Sequence, residues 1–329
     1  MMKNTFNPPF TSVMYHYVKN YATTPYPEIK GLDVQDFEQQ IMFLKKFYNI
    51  VSMDNVIAYF KNECALPPKA LLLTFDDGYT DHVDFVLPVL KKYQVQGSFF
   101  IPVQTQKEHK VLDVNKIHIL LAVRSDKKLL LQDILNNLAK LRKNDPSILT
   151  EQEFVDQAKG RGNRYDSTEV LLIKQILQRL VSRPVAHVVL DQLIMQTLGK
   201  TEADLHREIY MSNVQLRHLL QEGMHIGAHG YKHLWLDSVN SDELASELDH
   251  CVQFLKDLKI SDSEMTFCYP YGGYNQAVLQ SLEKSPFQLA LATDVNLAYG
   301  HQRYKVPRLD TNDFPRSHQA CPNKWYFEA

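Results

Sequence analysis

One segment sets the frame for the hydrophobic pattern of this chain. Leu71–Phe75 (LLLTF) is apolar without alternation and ends in two adjacent carboxylates, Asp76 and Asp77, followed by Gly78. An unbroken apolar run closed by a turn signal reads as a strand buried on both faces, as in a parallel sheet. Successive strand residues point to opposite sides, so the two carboxylates can do different work at one strand end. Asp-Asp-Gly is also a turn that merely closes a strand, and the segment alone leaves both readings open.

The flanking pattern supports the parallel sheet. Thr11–Val18 is β-rich and predicts a first strand ending near His16. Asp33–Tyr48 sets Phe37, Ile41, Leu44 and Phe47 at helical spacing behind Asp33 as N-cap. A short strand over Asn49–Met53, a helix to about Lys61, a helix over Thr80–Tyr93 and a strand over Gly97–Val103 continue the alternation. Alternating strand and helix means a parallel sheet or barrel. From about Gln104 to Met211 the rhythm breaks. Lys128–Leu141, Ser167–Val181 and Pro184–Leu198 all carry apolar stripes of helical period, separated by polar punctuation at Lys143–Pro146 and Lys159–Asn163. This reads as a helical insertion or lid. The α/β rhythm resumes with a helix over Val214–Gly223 and a strand over Met224–Ala228. Next come a helix over Ser241–Leu258 with Ser241 as N-cap, a strand over Met265–Tyr269, and short strands at Ala290–Thr293 and Lys305–Leu309.

Composition narrows the classes. The 329 residues are 44% hydrophobic and 22% charged, ordinary for a globular chain. A net charge of −2 argues against a general nucleic-acid or anionic-membrane binder. Met1–Pro9 is polar, without the apolar core of a signal peptide, and no apolar run is long enough to span a bilayer. Cys64, Cys251, Cys268 and Cys321 lie far apart without a CxxC pair, so neither a disulfide framework nor a zinc-thiolate site is indicated. The expected compartment is the cytoplasm.

The candidate chemistry lies at the strand ends. His229 and His233 follow the strand Met224–Ala228, four residues apart; on a helical turn both imidazoles would share one face. The pair alone is also compatible with solvated or hydrogen-bonded histidines. If the strands ending in DDG and HGYKH share one rim, a carboxylate and two imidazoles converge there. That is the ligand set of catalytic zinc and of non-haem iron.

With these segments in hand, the chain resembles the polysaccharide deacetylase family (NodB-homology, carbohydrate esterase family 4). Thr74–Tyr79 (TFDDGY), His229–His233 (HGYKH) and Tyr269–Gly273 (YPYGG) are similar to its first three motifs, in order. Val13–Val18 (VMYHYV) and Val306–Asp310 (VPRLD) are similar to segments of its members that act on poly-N-acetylglucosamine-like glycans. The likeness covers about residues 11–104 and 212–312 and omits the insertion. It implies a distorted (β/α)7 TIM-like barrel, here built from residues 1–104 and 212–329, with 105–211 as insertion. It implies one divalent metal ion, zinc first, held by Asp77, His229 and His233. Asp76 would be the general base, and the backbone N–H of Tyr271 would face the oxyanion, aimed by Pro270. The implied substrate is an acetylated sugar or glycan precursor in surface-polysaccharide synthesis, whether free, nucleotide-linked, lipid-linked or polymeric.

Two departures from the family pattern stand out. The arginine that opens the third motif is replaced by Cys268, which reads as a small buried hydrophobe. Arg308 is the candidate to pair with Asp76 in its place. The late Leu-x-x-His motif that supplies the general acid is missing. His318 is the first candidate for that role, His301 and His16 the others, with Asp310 or Asp313 to orient it. Asn115–His118 is a polar cluster expected to border the mouth of the site. Two rival readings are a small-amide hydrolase on the same barrel and a degenerate barrel that binds glycan without turnover.

Overall fold

The computed structural model describes residues 8–158 and 166–328; the Lys159–Asn163 punctuation lies outside them. The described chain divides into two compact units, each treated by itself. Among the described residues, the first comprises 8–21, 31–109 and 207–328, and the second 22–30, 110–158 and 166–206.

The first unit is built on a parallel sheet. Its strands are β1 (Thr11–Tyr15), β2 (Val18–Lys19), β3 (Leu32–Asp33), β4 (Asn49–Ile50), β5 (Ala70–Asp76), β6 (Ser98–Ile101), β7 (His225–Ala228), β8 (Thr266–Cys268), β9 (Leu289–Leu291) and β10 (Leu309–Asp310). The order is β10-β1-β5-β6-β7-β8-β9, with β4 beside β5, and every pairing is parallel. β2 and β3 form a separate pair. The segment Val306–Asp310 joins the two edges: Val306 bridges Leu291 of β9, while Leu309 and Asp310 pair with β1. The curled sheet is a (β/α)7-type barrel, as expected.

The unbroken apolar run is the central strand. All seven residues of β5 are buried, and they contribute to two cores. Leu71, Leu73 and Phe75 pack toward the surrounding helices, whereas Leu72 joins Phe100, Cys268, Leu291 and Val306 in a separate cluster. Period-two alternation thus persists although neither face is polar.

Helix starts follow local capping chemistry. Asp33 accepts from the amide of Gln35 and opens the helix Val34–Phe47. The helix Ser241–Asp257 is capped by Asn240, which accepts from the amide of Glu243, not by Ser241. Asn outcompetes Ser here because it sits one residue earlier, in extended backbone. The helix expected over Thr80–Tyr93 is a π-helical turn at His82–Val86 followed by an α-helix over Leu87–Tyr93.

The second unit is helical. Its longest helices are Lys127–Arg142 and Arg183–Leu198. Asn115 and Lys116 are buried in the helix Asp113–Val123, within this unit. The Lys116 ammonium lies 2.6 Å from Asp191 and 2.9 Å from Glu202, with His187 Nδ1 at 3.2 Å. Lys116 therefore joins three helices through a partly buried ion-pair network. No helix among the described residues is long and apolar enough to cross a membrane.

Candidate active site

Because the strands are parallel, their C-terminal ends share one rim, where α/β barrels gather reactive groups. β1 delivers His16, β5 delivers Asp76 and Asp77, β7 delivers His229, and β8 delivers Cys268. The register carries the ends into line: Asp76 pairs with Phe100, Phe100 with Gly227, and Ala228 with Phe267.

Asp76 is held by Arg308. Nη1 and Nη2 donate to Oδ1 and Oδ2 at 2.9 and 2.8 Å, and both side chains are fully buried. Arg308 is itself fixed by Ala292 O at 2.8 Å and Thr74 Oγ1 at 3.1 Å. It can reach Asp76 because it lies in the segment that joins the sheet edges. Burial opposes ionisation of Asp76, but the guanidinium and the nearby His229 outweigh it and hold the carboxyl below the usual range. Cys268, where the family motif has arginine, lies 3.6 Å from both oxygens. Burial first, then Asp76, push its thiol pKa up against the opposing pull of Arg308, so it stays protonated.

Asp77 faces the two histidines. His229 Nε2 and His233 Nε2 are 3.3 Å apart, and they lie 3.6 and 3.5 Å from Asp77 Oδ1. His229 Nδ1 donates to the Cys268 carbonyl at 2.9 Å, which leaves the lone pair of its Nε2 in the triangle. Asp77 Oδ1 is buried without a donor. Burial first, and then His229, push the pKa of His233 down, so it is neutral. One proton on His233 cannot serve all three atoms, whereas one cation can. A tetrahedral ion with bonds of about 2.0–2.2 Å sets its ligand atoms roughly 3.3–3.6 Å apart. The donor set fits a divalent metal in chemistry and in spacing. The neighbouring combination Asp76, His229 and Cys268 also lies within ligand range, but there Arg308 already occupies the carboxylate.

Surrounding residues fix these side chains. The Tyr79 hydroxyl donates to Asp77 Oδ2 at 2.5 Å, and its ring stacks on Tyr17. Asp77, His233 and Tyr271 all adopt left-handed backbone, with φ of 75°, 56° and 56°, a conformation non-glycine residues hold only when the surroundings impose it. Tyr271 lies against the His233 ring at 4.6 Å and stacks on Trp235 at 4.5 Å.

The other histidines divide. His16 Nε2 lies 3.8 Å from Asp76 Oδ2, with its side chain 41% exposed. His318 is instead paired with Gln39, and His301 is an exposed residue stacked on Tyr299. Asp310 and Asp313 hold the turn Thr311–Asp313 by accepting from backbone amides, so neither is set to orient a catalytic imidazole. A C-terminal order favours His318, but the pairing of β1 with β5 carries His16 to Asp76.

A search of curated proteins finds no match. Among solved structures the fold is similar to IcaB from Ammonifex degensii, at 16% identity over 92% of both chains with a TM-score of 0.53. Streptococcus pyogenes deacetylase PplD in complex with acetate gives 14% identity over 92% of this chain and 91% of that one, with a TM-score of 0.53. The BpsB deacetylase domain from Bordetella bronchiseptica gives 13% identity over 92% and 96%, also at 0.53. At such identities the likeness is one of fold. The sequence itself matches the polysaccharide deacetylase family model over residues 64–139 and 191–290. These ranges are just over half of the chain and hold Asp76, Asp77, His229, His233 and Tyr271, so the chain belongs to the polysaccharide deacetylase family.

Proposed function

We propose that the protein is a divalent-metal-dependent hydrolase that removes acetyl groups from the nitrogen of an acetylated sugar or glycan precursor. The observation that carries this reading is the buried triangle of Asp77, His229 and His233 beside an Arg308-held Asp76. Asp77 Oδ1 and the two Nε2 atoms would hold the ion, with zinc the first candidate. When bound, such an ion polarises an acyl carbonyl and brings the pKa of a coordinated water towards about 7.

This chain's residues divide the remaining work. Arg308 keeps Asp76 ionised and oriented, ready to accept the proton of the attacking water. The same pairing makes Asp76 a weak base. The backbone N–H of Tyr271 is the protein donor for the oxyanion. Its backbone follows Pro270, whose fixed φ restrains the turn. His16, next to Asp76 and partly exposed, is the candidate to give the leaving amine its proton; it replaces His318 in that role. The relative bound to acetate and the family membership support acetyl transfer to water over other amide hydrolysis. Surface-polysaccharide synthesis in the cytoplasm remains the proposed setting.

The test is acetate release from N-acetylated sugars, nucleotide sugars and chito-oligomers by metal-stripped, zinc-reloaded and Asp76→Asn protein. Zinc-restored acetate release that falls roughly 10²–10⁴-fold in Asp76→Asn is the expected result. Tight metal binding without acetate from any substrate would overturn it.

A further inference from the structure

We propose that Glu247 is the positioning residue that sets the separation of His229 and His233. The inference rests on the metal-site reading above. Glu247 lies on the helix Ser241–Asp257 among Leu244, Leu248 and Cys251, and is only 2% exposed. A carboxylate on the apolar face of a helix is costly unless its oxygens are paired. Its oxygens accept from the backbone between the two histidines: Oε2 from the amides of Tyr231 at 2.8 Å and Lys232 at 3.0 Å, and Oε1 from Lys232 at 3.2 Å.

The rest of this short loop is clamped as well. The amides of Val103 and Gln104 donate to the carbonyls of Gly230 and Tyr231 at 2.9 and 2.8 Å. Gly230 has φ of +70°, and a Cβ there would lie 2.9 Å from the Pro270 ring and 3.6 Å from Glu247 Oε2. His233 leaves the loop in left-handed backbone. The carbonyls are thus fixed from the segment that follows β6 and the amides from Glu247, and the loop must hold a strained exit while it carries both imidazoles. Without the carboxylate, two adjacent buried amides lose their acceptor, and the turn can relax toward backbone that pulls His233 away from His229. Glu247 acts through the loop, by the amides of Tyr231 and Lys232.

Reach and charge can be separated. Glu247→Gln keeps the side-chain length and one acceptor oxygen able to receive both amides, but loses the charge. Glu247→Asp keeps the charge and shortens the reach by one methylene. The readout is Co(II) affinity by chelator competition, with the visible absorption of the bound Co(II), on full-length protein. Gln is expected within about threefold of the parent, and Asp about 10–100-fold weaker with an altered spectrum, as for lost outer-sphere support. A ranking in which Asp binds Co(II) as well as Gln or better overturns the proposal. A parent protein that binds no Co(II) would overturn the metal-site reading itself, which keeps the two failures distinct.

Discussion

Arg308 holds both oxygens of Asp76 from a position 232 residues further along the chain, at 2.9 and 2.8 Å. A bidentate pair of this kind orients the carboxylate as well as neutralising it. Its stability value lies mainly in what breaking it would leave behind. Arg308→Met should strand a buried carboxylate beside Cys268 and cost roughly 3–5 kcal/mol, read as a lower urea midpoint at pH 7. Arg308→Lys should recover only part of this, because a point charge cannot serve both oxygens. Equal midpoints for the parent and Arg308→Met would mean that Asp76 is neutral in the folded protein.

Much of this pairing is legible in the amino-acid sequence. The strand–helix rhythm predicts the parallel strands that carry the site, and the resemblance, with Cys268 in place of the motif arginine, makes Arg308 of VPRLD the candidate partner of Asp76. The histidine beside Asp76 is not legible there, because sequence order favours a late histidine, whereas proximity is set by strand order. β1 lies next to β5 although about fifty residues separate them, and that puts His16 at Asp76. Glu247 does leave a signal in the sequence: it interrupts the apolar stripe of Leu244, Leu248 and Leu255, where a charge needs a buried partner. The helix gives no sign of which amides it will meet. The left-handed backbone at Asp77 and His233 is equally hidden, since nothing local in those residue types demands it.

Tyr79 gives a second handle on the proposed metal ligands. Its hydroxyl donates to Asp77 Oδ2, while Oδ1 faces the imidazoles. Burial, and then the Asp77 charge, push the Tyr79 pKa well up, so it remains a donor throughout the working pH range. Tyr79→Phe keeps the ring stacked on Tyr17 but frees Oδ2 to rotate. Metal affinity should fall about 10-fold, measured by zinc competition with a chromophoric chelator. Unfolding free energy should drop by about 1–3 kcal/mol for the carboxylate oxygen left without its donor. Unchanged affinity with reduced stability would make Tyr79 a packing residue only.

His225 supplies a pH dependence that lies apart from the proposed metal ligands. It opens β7, is buried, and its Nε2 lies 2.7 Å from Thr266 Oγ1. Burial pushes its pKa from 6.5 down to about 3. Below pH 6.5 the unfolded chain therefore takes up a proton at this position that the folded chain refuses. The unfolded state binds more protons, so unfolding free energy falls as pH falls. The contribution is fully present above pH 6.5 and is lost progressively down to about pH 3. Within that window one refused proton is worth about 1.4 kcal/mol per pH unit. His225→Gln keeps a polar partner for Thr266 and removes the titration. Its stability measured between pH 6 and pH 4.5 should therefore decline less steeply than the parent's by close to that amount. Asp76 and Asp77 do not confound the comparison: both have lowered carboxyl pKa values, so their contributions are retained until pH falls below about 3.8. Parallel slopes in the two proteins would show that the folded protein admits the proton at His225, and that burial at the head of β7 is looser than the geometry indicates.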